Sequence, residues 1–316
     1  MTPASSGQTV RIVRTFLAVP AHRRRLVESA ARSQADAVFL DLEDAVPESE
    51  KQQALDDALL ALQELDWSGK HVAVRVNAFG SRFLQAEIET LAKKASRLDA
   101  IIIPKAERCG DIAAIAGWLD ASETARAQPL QLELLIETAL GLVQVDALAQ
   151  SHARVSALHL GVGDFAASIG ARSTEIGSSP DGYRQTVAAA GNYLSAPLDL
   201  FAYPMMRLLV AARAFNLRAV DGPCGAYRDA TLTQAWAEKA AAMGFDGKQV
   251  IHPSQIAATR DAFIPDAAQQ AFAQRVVAAM EDAERNGKGA VSVDGKMVDY
   301  ANVRMAQRIL RLAGHS

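Results

Sequence analysis

The chain has 316 residues, half of them hydrophobic, with a formal charge of -3 and a pI near 6.1. This composition can fill a large core, gives no global basic field for nucleic acid, and contains no apolar run near the roughly 20 residues of a membrane span. The opening MTPASSGQTVRIVR has no apolar block of signal-peptide length, and Cys109 and Cys224 stand in no metal-binding spacing. The expectation is a soluble cytoplasmic protein that acts on small molecules.

Short runs rich in Val, Ile and Leu alternate with longer stretches of helical period, as in a parallel sheet covered by helices. In chain order the runs are TFLAV, AVFLDL, HVAVRV, AIIIP, LELLIE, VSALHLG, LRAVDG and KQVIH. They end near Pro20, Asp41, Arg75, Pro104, Glu137, Gly161, Asp221 and His252. Most intervals are close to the roughly 30 residues per unit of a (β/α)8 barrel. The interval between Gly161 and Asp221 is about twice that unit length, so GARSTEIGSSPDGYRQT is expected as an extended loop on the active-site face. An open doubly wound sheet would use fewer strands and show a glycine-rich first turn; here the first run leads into VPAHRRR.

Beyond Pro265 the composition shifts. DAAQQAFAQRVVAAMEDAERNGKG predicts an amphipathic helix ending near Asn286-Gly287, AVSVDGKMV a hairpin around Asp294-Gly295, and YANVRMAQRILRLAG a closing helix. The expected architecture is therefore a TIM barrel over 11–265 with a C-terminal helix-hairpin-helix extension over 266–316.

In such a barrel the C-terminal ends of the strands face the active site, which makes polar residues ending apolar runs candidates by position. Asp41, Glu43 and Asp44 follow the second run, Arg75 and Asn77 close the third, Lys105 follows the fourth, Glu137 ends the fifth and Asp164 lies just past the sixth. Glu137 and Asp164 stand about one βα unit apart and should project toward one spot from adjacent strands. Two hard oxygen ligands with room for waters and a chelating substrate suit Mg²⁺, and no placed His or Cys cluster points to zinc. Either acid alone could equally be a helix cap or a loop ion pair. Arg75, on an apolar strand, needs an anionic partner: the acids of DLEDAV, an oxyanion, or each in turn. His22, Arg23, Arg24 and Arg25 form a basic run that is either a solvated face or a phosphate contact at the rim. Asp299 precedes the last helix and reads first as an N-cap.

Together these stretches resemble the citrate lyase β-subunit and malyl-CoA lyase family of the HpcH/HpaI aldolase superfamily. The carrying motifs are RTFLAVP, DAVFLDLEDAV, VAVRVN, IIIPKAE, LLIETALGL, LHLGVGDFAASIG, AVDGP, GFDGKQVIHPSQI and DGKMVDYANVRMAQRIL, in order from Arg14 to Leu310. The resemblance implies a (β/α)8 barrel, Mg²⁺ on Glu137 and Asp164, and Arg75 against the thioester or carboxylate side of the substrate. It also implies a catalytic role for Asp299, on a tail that completes the site of a neighbouring subunit in a homo-oligomer, a trimer or hexamer. The crowded acids of VFLDLEDAV then read as support around a cation and Arg75, with Asp41, Glu43 and Asp44 near metal-bound waters. Where many relatives read VPG after an aromatic residue, this chain has Ala18, Val19, Pro20 and Ala21, leaving Arg24, Arg25 and Lys105 as candidates for CoA or substrate contact.

The implied reaction is Mg²⁺-dependent retro-aldol cleavage of a 3-hydroxyacyl-CoA thioester, citramalyl-CoA first and then malyl-CoA or citryl-CoA, into acetyl-CoA and a 2-oxo acid. Two alternatives keep the same barrel: hydrolysis of the thioester, or action on an acyl-carrier-protein thioester as a subunit of a citrate lyase complex.

Overall fold

The computed structural model describes residues 12–123, 126, 128–189 and 192–314. The strands, in chain order, are β1 (Thr15–Pro20), β2 (Ala37–Asp41), β3 (His71–Arg75), β4 (Ala100–Ile103), β5 (Gln131–Ile136), β6 (Val155–Leu160), β7 (Arg184–Ala189), β8 (Asn192–Pro197), β9 (Arg218–Asp221), β10 (Gly247–Val250), β11 (Val291–Val293) and β12 (Lys296–Val298). Eight of them close a parallel barrel in the order β1-β10-β9-β6-β5-β4-β3-β2. All eight predicted runs are barrel strands.

The strands read as near-continuous apolar runs because helices cover their outer faces: every residue of β2 and β4 is buried. The helix Lys51–Glu64 buries Ala54, Leu55, Ala58, Leu59, Ala61 and Leu62 on one stripe. Asp229 caps the helix Ala230–Met243 by accepting from Leu232 N, and Gly244 ends it in the left-handed conformation at φ 110°. Barrel closure is sterically exacting. A Cβ at Gly247 would lie 2.5 Å from the Val13 carbonyl oxygen, so only glycine lets β10 approach the chain entering β1.

Inside the barrel, small residues such as Ala37, Ala73 and Ala100 pack with Phe16, Phe39, Ile102, Leu135 and Val220. Below this apolar layer lies a buried polar one. Glu133 accepts from or bonds His71 Nε2 at 2.9 Å and His159 Nε2 at 2.9 Å, and Arg218 Nη1 donates to it at 3.2 Å.

The long interval after β6 is only partly the expected loop. Its middle is an antiparallel hairpin, β7 with β8, whose side chains at 184–188 and 193–197 are exposed, and the helix Ala202–Ala214 follows before β9. RQTVAA and NYLSAP lack the one-sided alternation that would announce a half-buried strand pair.

The chain divides into two compact units, one spanning Val13–Thr259 and one holding Arg260–Ser316. In the second, the helix Ala267–Arg285 opens with a capping box, Asp266 with Gln269. The β11–β12 turn places Asp294 and Gly295 at φ 50° and 76°, as a type I′ turn requires, and the helix Tyr300–Leu312 follows. Ala273, Val276, Met280, Val293, Val298 and Ala306 form this unit's core. Among the described residues no helix is long and apolar enough to cross a membrane.

Candidate active site

Asp41 and Arg75 are register partners on β2 and β3, so their side chains leave the sheet side by side at the C-terminal end of the barrel. They form a two-pronged pair: Arg75 Nε donates to Asp41 Oδ1 at 2.8 Å and Nη2 to Oδ2 at 2.7 Å. Asp41 also accepts from the backbone N–H of Glu43 at 2.9 Å and of Ala45 at 3.2 Å. Burial works to raise the Asp41 carboxyl pKa, but Arg75 and these amides outweigh it and hold it below the ordinary range. Burial likewise works against the Arg75 charge, and Asp41, Glu43 and Glu137 outweigh it, so the guanidinium stays protonated and pinned.

Glu43 is 4 % exposed and faces two cations. Lys105 Nζ donates to its Oε1 at 2.5 Å, while Oε2 lies 3.3 Å from Arg75 Nη1 without hydrogen-bond geometry. Burial raises the Glu43 pKa beyond what Arg75 and Lys105 can offset, and Asp44 adds to the rise. Asp44 is more exposed and sits 3.3 Å from Lys105 Nζ.

Lys105 is one of three described non-glycine residues with positive φ, at 48°. That conformation, uncommon for an L-residue, aims its backbone N–H at Glu137 Oε1, 2.9 Å away, while its ammonium reaches back to the acidic turn. Lys105, a candidate for substrate or CoA contact, is thus paired with the acids of the site.

Glu137 follows β5 and is 2 % exposed. Gly161 stands opposite, one step beyond the Ile136↔Leu160 pair; a Cβ there would fall 2.5 Å from Glu137 Oε2. Burial first, and then the charges of Glu43 and Asp164 against the relief from Arg75, push the Glu137 carboxyl up to about 8. Asp164 lies in the first turn of the helix Val162–Ser168 and is half-buried. A buried carboxylate raised by two neighbouring carboxylates is a place where a dication lowers the free energy of the charged form. Among the described residues no three or more His, Cys, Asp or Glu side chains form a metal cage. Two carboxylates with the remaining positions open fit an octahedral ion such as Mg²⁺, which keeps waters or substrate oxygens in its shell.

The basic run after β1 makes its own contacts. Arg24 turns along its helix, Nε donating to Glu28 at 2.8 Å and Nη2 to Glu64 at 2.9 Å. Arg23, the residue preceding the helix Arg24–Ala31, and Arg25 are both exposed. Asp299 belongs to the second unit, where it is exposed and caps the helix Tyr300–Leu312 by accepting from Ala301 N at 2.8 Å and Asn302 N at 3.3 Å.

Two contributors escaped the sequence reading. Lys51 Nζ donates to the carbonyls of Leu42 and Glu43, and the buried Glu87 accepts from Asn77. A signal existed for Glu87: it lies on the same helical stripe as Leu84, Ile88 and Leu91, where an unpartnered acid would be costly.

The fold and this cluster define a parallel barrel with an acidic, arginine-bearing site on its C-terminal face, where enzymes of this architecture place their active sites. The family model for the HpcH/HpaI aldolase/citrate lyase family matches residues 14–253, and the chain belongs to that family. It is 35 % identical over 306 residues to an L-malyl-CoA/β-methylmalyl-CoA lyase of Rhodobacter capsulatus, covering 96 % of this chain and 95 % of the relative. It is 34 % identical over 300 residues to a (3S)-malyl-CoA thioesterase of Cereibacter sphaeroides, covering 95 % and 94 %. Protein CitE of Mycobacterium tuberculosis, solved in complex with magnesium, acetoacetate and coenzyme A, superposes with a TM-score of 0.73 at 30 % identity over 96 % of this chain and all of that one.

Proposed function

We propose that this protein is a Mg²⁺-dependent lyase that cleaves the carbon–carbon bond of a 3-hydroxyacyl-CoA thioester, releasing acetyl-CoA and a 2-oxo acid. The observation that carries the reading is the buried Glu137, closely approached by Gly161 and acted on by the charge of an Arg75 that Asp41 holds in place. The names of the relatives move malyl-CoA ahead of citramalyl-CoA and citryl-CoA as the first substrate to try.

An ion held by Glu137 and Asp164 supplies, when bound, a Lewis acid for the hydroxyl and carboxylate oxygens of the substrate. Asp299, from the tail of a neighbouring copy in a trimer or hexamer, takes the hydroxyl proton as general base. The bond between the hydroxyl carbon and the carbon next to the thioester then breaks, its electron pair passing into the thioester enolate. Arg75 stabilises that enolate from its Nη1 side, which makes no hydrogen bond to Asp41 and stands 3.3 Å from Glu43 Oε2. It needs no reorganisation to do so, because its other edge is already fixed. A proton from water completes acetyl-CoA, and Asp299 returns the hydroxyl proton to the hydroxide so formed. Arg24 and Arg25, on the helix that follows β1, are the candidates for the CoA phosphates.

Mass spectrometry of products tests this with malyl-, citramalyl- and citryl-CoA, each with Mg²⁺ and with EDTA. Metal-dependent acetyl-CoA plus a 2-oxo acid is the expected result. Free CoA with the hydroxy acid intact would replace it with the thioesterase reading, to which the 34 % identical relative lends weight. Turnover of a carrier-protein thioester alone would assign the chain to a multi-subunit lyase.

A further inference from the structure

Leu42 and Glu43 lie beyond the last residue of β2, yet the turn they begin must hold a buried carboxylate within reach of both Arg75 and Lys105. From outside the turn, two groups take hold of its backbone. Lys51, at the start of its helix, donates from Nζ to the Leu42 carbonyl at 2.8 Å and the Glu43 carbonyl at 2.6 Å. Asn77 donates from Nδ2 to the Leu42 carbonyl at 3.1 Å.

Asn77 is itself oriented by Glu87, on the helix Leu84–Lys94. One Glu87 oxygen accepts from the Asn77 backbone N–H at 2.9 Å and the other from its Nδ2 at 2.5 Å. Glu87 is 2 % exposed and Asn77 5 %. A buried carboxylate with both oxygens spent on one asparagine does no chemistry of its own. It fixes the amide so that its second hydrogen meets Leu42, since a rotated amide would present an oxygen to a carbonyl oxygen.

We propose that Lys51 and Glu87 are positioning residues for the acidic turn at 42–45: without touching substrate, they set where Glu43 stands against Arg75 and Lys105. Asp41 supplies the inner side of the same clamp through its bonds to the Glu43 and Ala45 amides. The turn is thereby tied to β2, to the segment after β3, and to two helices of the outer layer. Its kinetic consequence rests on the proposed lyase reading; its structural consequence does not.

The test uses the full-length protein with Lys51→Met, Lys51→Arg and Glu87→Gln. Hydrogen exchange of the Glu43 and Ala45 amides, followed by mass spectrometry of the peptide that contains them, should quicken by about tenfold or more in Lys51→Met and Glu87→Gln, as expected for losing a charge-assisted hydrogen bond. Exchange in β5 and β6 should stay as in the parent. In cleavage assays kcat should fall about tenfold to a hundredfold while KM moves less than about threefold, since the displaced group belongs to the reacting end of the site. Lys51→Arg, which keeps a charged donor, should restore both readouts. Unchanged exchange in the turn overturns the proposal whatever the substrate. A kcat loss that Lys51→Arg does not rescue, accompanied by faster exchange in all strands, overturns it in favour of general destabilisation. If the parent cleaves none of the thioesters, the function reading fails while the exchange result still decides whether the clamp exists.

Discussion

Asp41→Asn isolates the part of the site that holds Arg75. The substitution keeps shape and one acceptor oxygen but removes the charge that faces a guanidinium whose side chain is only 16 % exposed. Breaking a buried pair from one side costs about 3–5 kcal/mol, because the remaining charge is left uncompensated. Glu43, 3.3 Å from Arg75 Nη1, still offers partial compensation. We therefore expect the lower end, about 3 kcal/mol, or a fall in Tm of about 6–12 °C for a domain of this size. The effect has a defined pH dependence. Asp41 has a depressed pKa in the folded protein, so its stabilisation is present above the ordinary carboxylate value and is lost as pH falls through the lower folded one. The gap between parent and Asp41→Asn, read by differential scanning calorimetry, should be full at pH 7 and narrow below about pH 4. A gap under about 1 °C at pH 7, or one that widens in acid, would refute the reasoning, because a buried charge pair cannot be silent under linkage.

Gly161→Ala should displace the Glu137 carboxylate, since the new Cβ would sit 2.4 Å from the Glu137 Cβ; Mn²⁺ binding followed by EPR should weaken more than about tenfold, and undiminished binding would remove Glu137 from the ion site. In the lower barrel layer, burial raises the Glu133 carboxyl but His71 and His159 bring it well below the ordinary range. Its contribution is therefore lost as pH falls below about 4, and Glu133→Gln should flatten the acid limb of the Tm profile while lowering Tm at pH 7. Asp299→Asn keeps the helix cap, so it should fold normally and lose most of its cleavage rate; full activity in that variant would leave the base to another residue.

The barrel was legible because its strands are buried on both sides and so appear as unbroken Val/Ile/Leu runs, from TFLAV to KQVIH. The extension was legible for a different reason, because Asp294-Gly295 is one of the few dipeptides that names its own turn type. The hairpin β7–β8 was not, since with both faces in solvent it carries no hydrophobic alternation. At the site, position in a strand revealed Asp41, Arg75 and Glu137, but not how charges would be divided among them. Lys105 and Arg24 are candidates for substrate or CoA contact, and the chain order does not show their carboxylate partners. In space each is drawn to carboxylates from segments distant in sequence, Glu43 in one case and Glu64 in the other.

That division explains how the acidic stretch VFLDLEDAV survives at the end of an apolar strand. Its three carboxylates do not share one environment. Asp41 is ionised against Arg75 and two backbone amides, Glu43 is buried between two cations that do not fully offset its desolvation, and Asp44 is left to solvent beside Lys105. Arg75 connects the first two, hydrogen-bonded to Asp41 and 3.3 Å from Glu43. The site can hold this many like charges because each cation that balances them is anchored by backbone geometry: Arg75 by the register of β2 with β3, and Lys105 by a left-handed residue at the end of β4. Glu137 is the one buried acid of the group without a cation in hydrogen-bond contact. Its single described donor is a backbone N–H, which explains why burial and its neighbours raise it to about 8 and why a dication is the partner its position calls for.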